Sequence, residues 1–188
     1  MQGHIIIISA PSGAGKTTLV RALMQQLPQL RFSVSATTRQ PRTHEQDGVD
    51  YHFLSVAQFQ QHITQGDFLE WEEVYTGRYY GTLSSEPARI AQSGHIPLFE
   101  VDAVGGINLK KRFGETALSI FVKPPSPEAL RERLIKRGTD SAEEIERRMQ
   151  KADFELGLAP QFDVQVLNDD LQVAIAEIAA HIRRFVGI

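Results

Sequence analysis

A chain of 188 residues, 41% hydrophobic and 23% charged, is long enough for one domain with small insertions and a real core. Its formal charge of −3 argues against a general nucleic-acid binder, and the lack of cysteine excludes disulfides and thiolate metal sites. No histidine pair has a helical zinc-binding spacing, no apolar run approaches the ~20 residues of a membrane span, and the N-terminal isoleucines lack the basic flank of a signal peptide. The expectation is a cytoplasmic protein with neither nucleic acid nor membrane as partner; the oligomeric state stays open.

Apolar runs alternate with helical patterns, which predicts an α/β fold with a parallel sheet and helices on both faces. Ile5–Ser9 reads as the first strand, followed by a helix with Leu19, Val20, Leu23 and Leu27 on one face. Phe32–Ser35 is expected as a short second strand, with Ile96–Val101, Ser119–Val122 and Val164–Leu167 as later ones. Helices are expected near Glu86–Gln92, Val104–Arg112, Glu128–Lys136 and Ala142–Leu158. Leu171–Phe185 closes the chain, with Val173, Ile175, Ile178 and Ile182 pointing inward. Pro28 and Gly94 punctuate helix ends.

Two stretches break this alternation. From Thr37 to about Leu83 come short strand-like pieces (Tyr51–Leu54, Phe68–Val74, Tyr79–Leu83) and one helix, Val56–Gln65, which suggests an inserted subdomain. From Pro124 to about Met149 two arginine-rich helical segments meet at Gly138, the pattern of a lid. The expected division is a P-loop core over 1–36, 84–123 and 150–188, a subdomain over 37–83 and a lid over 124–149.

The strongest chemical signal is Ala10-Pro11-Ser12-Gly13-Ala14-Gly15-Lys16-Thr17-Thr18 directly after the first strand. A strand, a glycine-rich turn and a helix start form a loop whose N–H groups surround phosphate oxygens. Lys16 is placed for the β- and γ-phosphates and the Thr17 hydroxyl for Mg²⁺. Ala10 stands where a glycine is usual, but Pro11 already fixes an extended loop there.

Other positions carry two readings each. Arg39 and Arg42, spaced by the stiff Pro41, suit a phosphate clamp and also suit a solvated loop. Tyr51 and Tyr80 are possible phosphate donors or ordinary sheet residues. Glu70 lies in an apolar alternation, where it either reads a ligand or faces solvent. Asp102 ends a strand, the place where ligands sit in open α/β sheets and also a good helix N-cap. Glu132–Lys136, Glu143–Arg147 and Glu144–Arg148 are candidate helix pairs, which leaves Arg133 and Arg137 without a structural need.

Taken in order, A-P-S-G-A-G-K-T-T, F-S-V-S-A-T-T-R-Q-P-R, G-V-D-Y-H-F, F-L-E-W, G-R-Y-Y-G-T, P-P-S, R-G-T-D and N-D-D-L resemble the guanylate kinases over nearly the whole chain. The resemblance implies transfer of the γ-phosphoryl group of ATP to GMP, with Mg²⁺. It implies that Arg39, Arg42, Tyr51 and Tyr80 hold the GMP phosphate while Ser35, Glu70, Thr82 and Asp102 read the guanine. It further implies that residues 10–18 hold the ATP phosphates, that Arg133, Arg137 and Arg148 act at the transfer site with Lys16 and Arg39, and that Asn168 lies near the adenine. Val104 replaces the glutamine many members carry after the aspartate. Two other readings remain: a non-catalytic interaction module of the same fold, and a P-loop kinase acting on a sugar phosphate.

Overall fold

The computed structural model describes residues 3–11, 13–138 and 141–188, apart from the Arg137 side chain. Its described elements run β1 (Ile5–Ser9), α1 (Lys16–Gln26), β2 (Leu30–Phe32), β3 (Ala36–Thr37), β4 (His52–Phe53), α2 (Val56–Gln65), β5 (Phe68–Tyr75), β6 (Arg78–Leu83), α3 (Glu86–Gln92) and β7 (Ile96–Val101). They continue with α4 (Ala103–Phe113), β8 (Ala117–Lys123), α5 (Pro127–Arg137), α6 (Ala142–Leu158), β9 (Val164–Leu167) and α7 (Leu171–Val186). Among the described residues no helix is long and apolar enough to cross a membrane.

The core sheet has the order β2-β7-β1-β8-β9, and its pairings are parallel. All five residues of β1 are buried, as expected of a central strand covered on both faces. Ile6 and Ile8 pack with Leu19, Leu23, Ile175 and Ile178 on the side of α1 and α7, while Ile5 and Ile7 face Phe99 and Leu109 on the other side. Ser9 pairs with Val101, so the carboxyl ends of β1 and β7 lie side by side. That register brings the loop after β1 next to Asp102, the residue after β7.

A second sheet, β4-β3-β6-β5, forms the inserted part, and its small core contains Ala36, Phe59 and Phe68. Helix α2 begins with a capping box between Ser55 and Gln58 and ends at Gly66 in the left-handed region.

Two expectations are corrected. The second strand is Leu30–Phe32, not Phe32–Ser35. Ser33 still donates to Leu98 O at 2.9 Å, but the Val34 N–H turns to the Glu86 carboxylate at 2.9 Å, and the chain then crosses into the second sheet. Ser35 therefore sits at the crossing between sheets. Val173 is 64% exposed, not inward; Ala174 and Ala179 fill the buried face with Ile175, Ile178 and Ile182. Two positions along a helix are roughly 200° apart, so Val173 falls on the face opposite Ile175.

Glu86 holds that crossing, since it is buried and also takes both prongs of Arg89. Burial alone would raise its carboxyl; the hydrogen bonds from Arg89 and Val34 hold it below the usual range. Glu86→Ala leaves the Val34 N–H buried without an acceptor, and about 1–3 kcal/mol of stability should be lost. Urea unfolding at neutral pH measures this, and an unchanged midpoint would remove Glu86 from the account of the crossing.

Candidate active site

Above the carboxyl ends of β1 and β7 lies a cleft of about 810 Å³, walled by the loop after β1, by β5 and β6, and by α6. At one end the loop is wound by Gly13 and Gly15, with φ of +91° and +87°. Gly13 also needs to be bare, because a Cβ there would stand 2.8 Å from Leu134 Cδ2 on α5. Lys16 Nζ donates to Ala10 O at 3.2 Å and to Val101 O at 3.0 Å, which holds the ammonium at the loop's mouth. Ala10 is buried, so its methyl group lies in the core while its carbonyl anchors the lysine. Pro11, Thr17 and Thr18 line the same end; Ser12 lies outside the described residues.

Thr17 Oγ1 donates to Glu100 Oε1 at 2.8 Å. Asn168 is buried and its amide donates to Ala14 O at 2.9 Å, bracing the loop from beneath. Arg133 reaches the same carbonyl at 3.4 Å and Asn168 O at 3.3 Å. Arg148 lines the cleft from α6, while the Arg137 side chain and residues Thr139 and Asp140 lie outside the described residues. Arg131, by contrast, pairs with Glu146 across the two helices.

The opposite wall carries the paired arginines. Arg39 grips Glu45 with two bonds of 2.9 Å, and Arg42 meets the same carboxylate at 3.7 Å through its side chain and 2.8 Å through its backbone N–H. Burial alone would raise the Glu45 carboxyl, but these bonds hold it below the usual range. The Arg39 guanidinium lies 5.4 Å from the centre of the Tyr51 ring, which meets Tyr80 edge-on at 6.1 Å. Burial, with help from Glu100 and Tyr80, pushes the Tyr51 phenol up, so it remains a hydrogen-bond donor at neutral pH.

Beyond the arginines stands a group of acceptors. Glu70 pairs directly with Thr82 across β5 and β6, and Thr82 Oγ1 donates to Glu70 Oε1 at 2.6 Å. Asp102 accepts the Gly105 N–H at 2.9 Å as the N-cap of α4, and accepts Lys151 Nζ at 3.1 Å on its other oxygen. Its two readings are therefore compatible: one oxygen caps the helix while the group still lines the cleft. Buried Ser35 lines the same space. Gly105 leaves room for this arrangement, since a Cβ there would sit 2.8 Å from Glu70 Oε2. Val104 points elsewhere and is not part of the cleft wall.

Sequence reasoning missed Glu45, Glu100, Gly105, Glu72 and Lys151. Three arginines and seven acids share the inserted stretch, and nothing local distinguishes Glu45 from the other acids. A weak signal existed for Gly105 and Gly106, adjacent glycines inside a helical pattern, which mark close approach.

A family profile described as guanylate kinase matches residues 2–185. A guanylate kinase of Bacteroides fragilis is 50% identical over 187 residues, covering 100% of this chain and 92% of that relative. One from Porphyromonas gingivalis is 49% identical over 184 residues, covering 97% of this chain and 98% of its own. The crystal structure of guanylate kinase from Anaplasma phagocytophilum matches with a TM-score of 0.79 at 27% identity, over 97% of this chain and 85% of that one.

Burial pushes the Glu70 carboxyl up to about 7, against the Thr82 hydrogen bond and with the Asp102 charge adding to the rise. Between the ordinary glutamate range and about 7, the folded chain thus binds more protons at this site than the unfolded chain. Its contribution to stability is present at low pH and is lost as pH rises through about 7. Thermal midpoints without ligand should therefore fall more steeply between pH 5 and about 7.5 in the wild type than in Glu70→Gln. Parallel curves would show that Glu70 ionises normally.

Proposed function

The chain belongs to the guanylate kinase family, and on that premise we propose how its cleft holds ATP and GMP and which residues act on them. The overall reaction of the family moves the γ-phosphoryl group of ATP to GMP, giving ADP and GDP. Residues 11–18 and Lys16 receive the ATP phosphates, with Ala10 holding the lysine through its carbonyl and Asn168 bracing the loop. Arg39 and Arg42, oriented by Glu45, clamp the GMP phosphate with the Tyr51 and Tyr80 hydroxyls. Segment 37–83 acts as the GMP subdomain and 124–149 as the lid.

The observation that carries this assignment is the acceptor group at the far end of the cleft. Guanine presents N–H donors at N1 and N2 beside the O6 acceptor. Glu70 and Asp102 match the donors, while the Ser35 hydroxyl is suited to O6 and Thr82, its proton given to Glu70, orients that carboxylate. Adenine turns an unprotonated N1 toward a carboxylate and lacks the 2-amino donor, so it is rejected by mismatch rather than by size.

The chemistry then asks for little covalent work. The GMP phosphate already supplies an ionised oxygen, so no general base is required; that oxygen attacks the γ-phosphorus in line as the bond to the ADP oxygen breaks. Lys16, Arg133, Arg137 and Arg148 supply positive charge around the migrating group. Thr17 Oγ1 and Glu100 Oε1 are hard oxygen ligands side by side, which fits Mg²⁺. Among the described residues no three acidic, histidine or cysteine side chains cluster as a cage, so phosphate oxygens and water would complete the coordination. Thr17 and Glu100 would hold the ion, which would supply charge neutralisation for the ATP phosphates.

The test compares kcat/KM for GMP and AMP in wild type, Glu70→Gln and Asp102→Asn. Each change replaces part of an acceptor edge with a donor, and the GMP preference should fall by about 10²-fold or more, out of the roughly 10⁴–10⁵ such a site can provide. Lys16→Met should instead lower kcat by about 10²–10³ with the GMP preference intact. An unchanged GMP/AMP ratio in both carboxylate variants would overturn the assignment of the base site.

A further inference from the structure

Behind the two acceptors lies a second set of charges that the reaction itself does not use. Lys151, on α6 and largely buried, places its Nζ 3.1 Å from Asp102 Oδ2, 3.8 Å from Glu72 Oε1 and 3.9 Å from Glu155 Oε1. The same ammonium lies 6.0 Å from the Tyr75 ring centre. These partners come from three parts of the fold: β5 supplies Glu72 and Tyr75, the N-terminus of α4 supplies Asp102, and α6 supplies Glu155. Arg148, Lys151 and Glu155 stand at i, i+3 and i+7, so one face of α6 lines the cleft.

Four carboxylates crowd this corner, because Glu70 also stands beside Asp102 and Gly105. Glu72 Oε2 is buried, and no side-chain or backbone donor reaches it among the described residues. Burial, with the adjacent Asp102 carboxylate, pushes the Glu72 carboxyl up to about 8. At neutral pH this favours the neutral form of Glu72 beside the Asp102 carboxylate. Burial would raise Asp102 as well, yet the Glu72, Lys151 and Gly105 contacts hold it below the usual range. Asp102 thus accepts from the Gly105 N–H on one oxygen and from Lys151 on the other, and it stays ionised with a fixed orientation.

We infer that Lys151 is a positioning residue for base recognition: it fixes the Asp102 carboxylate for the guanine and offsets the acids gathered around it. This rests on the assignment of Asp102 to the base site. Lys151 is not a phosphate ligand, since its ammonium is committed to the carboxylates of Asp102, Glu72 and Glu155. Without it, Asp102 keeps its cap on Gly105 but loses a charged donor and faces the remaining acids unshielded.

The test uses Lys151→Met, which keeps the length of the side chain and removes its charge. Calorimetry with GMP should show affinity weakened by about 10- to 100-fold, the loss expected for one hydrogen bond to a charged group. The kcat at saturating GMP and the KM for ATP should change less than about threefold, because the transfer site is untouched. Lys151→Arg should recover most of the affinity. A merely structural lysine would affect ATP and GMP alike. GMP affinity unaltered in Lys151→Met, or a loss shared equally by ATP, overturns the inference. If Asp102→Asn collapses the GMP/AMP ratio while Lys151→Met leaves GMP binding intact, the inference alone fails. If Asp102→Asn leaves that ratio unchanged, the base-site assignment fails and takes the inference with it.

Discussion

Carboxylates repel one another, and the proposed base site, which would read guanine through two of them, must hold them close without letting them drift apart. That constraint bears on the corner where β5, the start of α4 and α6 meet. Glu70 is pinned by Thr82 across the second sheet, and Asp102 is pinned by Gly105 within its own helix and by Lys151 from another. Gly105 must lack a side chain for the two acids to coexist. The raised Glu70 carboxyl, driven first by burial and then by the Asp102 charge, reflects the cost of holding the acid there in the empty protein.

At the other end of the cleft the problem is reversed. Arg39, Arg42, Lys16, Arg133 and Arg148 gather positive charge before any phosphate arrives. Glu45 and the main-chain carbonyls of Ala10, Ala14 and Val101 offset it. These partners also keep the guanidinium forks and the ammonium in place, which lowers the ordering needed when an anion binds. The parallel register of β1 with β7 joins the two ends, because it places the phosphate loop beside Asp102.

Much of this was legible in the sequence where the signal is local. The bounds of β1, β7, β9 and α6 follow from apolar runs and caps, and the P-loop follows from a strand, glycines and Lys16-Thr17 in a short window. The exit of the chain at Val34 was not legible, since it depends on Glu86, 52 residues away, taking the backbone N–H. Lys151 carries no local signal, and its meaning appears only when Glu72 and Asp102 fold against it. The family resemblance suggests a place near the adenine for Asn168, and the structure adds a bond from its amide nitrogen to Ala14 O, 154 residues away, that no local pattern announces. Local patterns specify elements; pairing over long sequence distances specifies the charges of the site.

The central claim is that Glu70 and Asp102 together read the N1 and N2 edge of guanine. Its most direct measurement is a binding cycle that pairs GMP and IMP, which lacks the 2-amino group, with wild type, Glu70→Gln and Asp102→Asn. The account predicts that wild type loses about tenfold or more in affinity for IMP relative to GMP, and that this preference largely disappears in at least one carboxylate variant. A GMP/IMP ratio identical in all three proteins would contradict it.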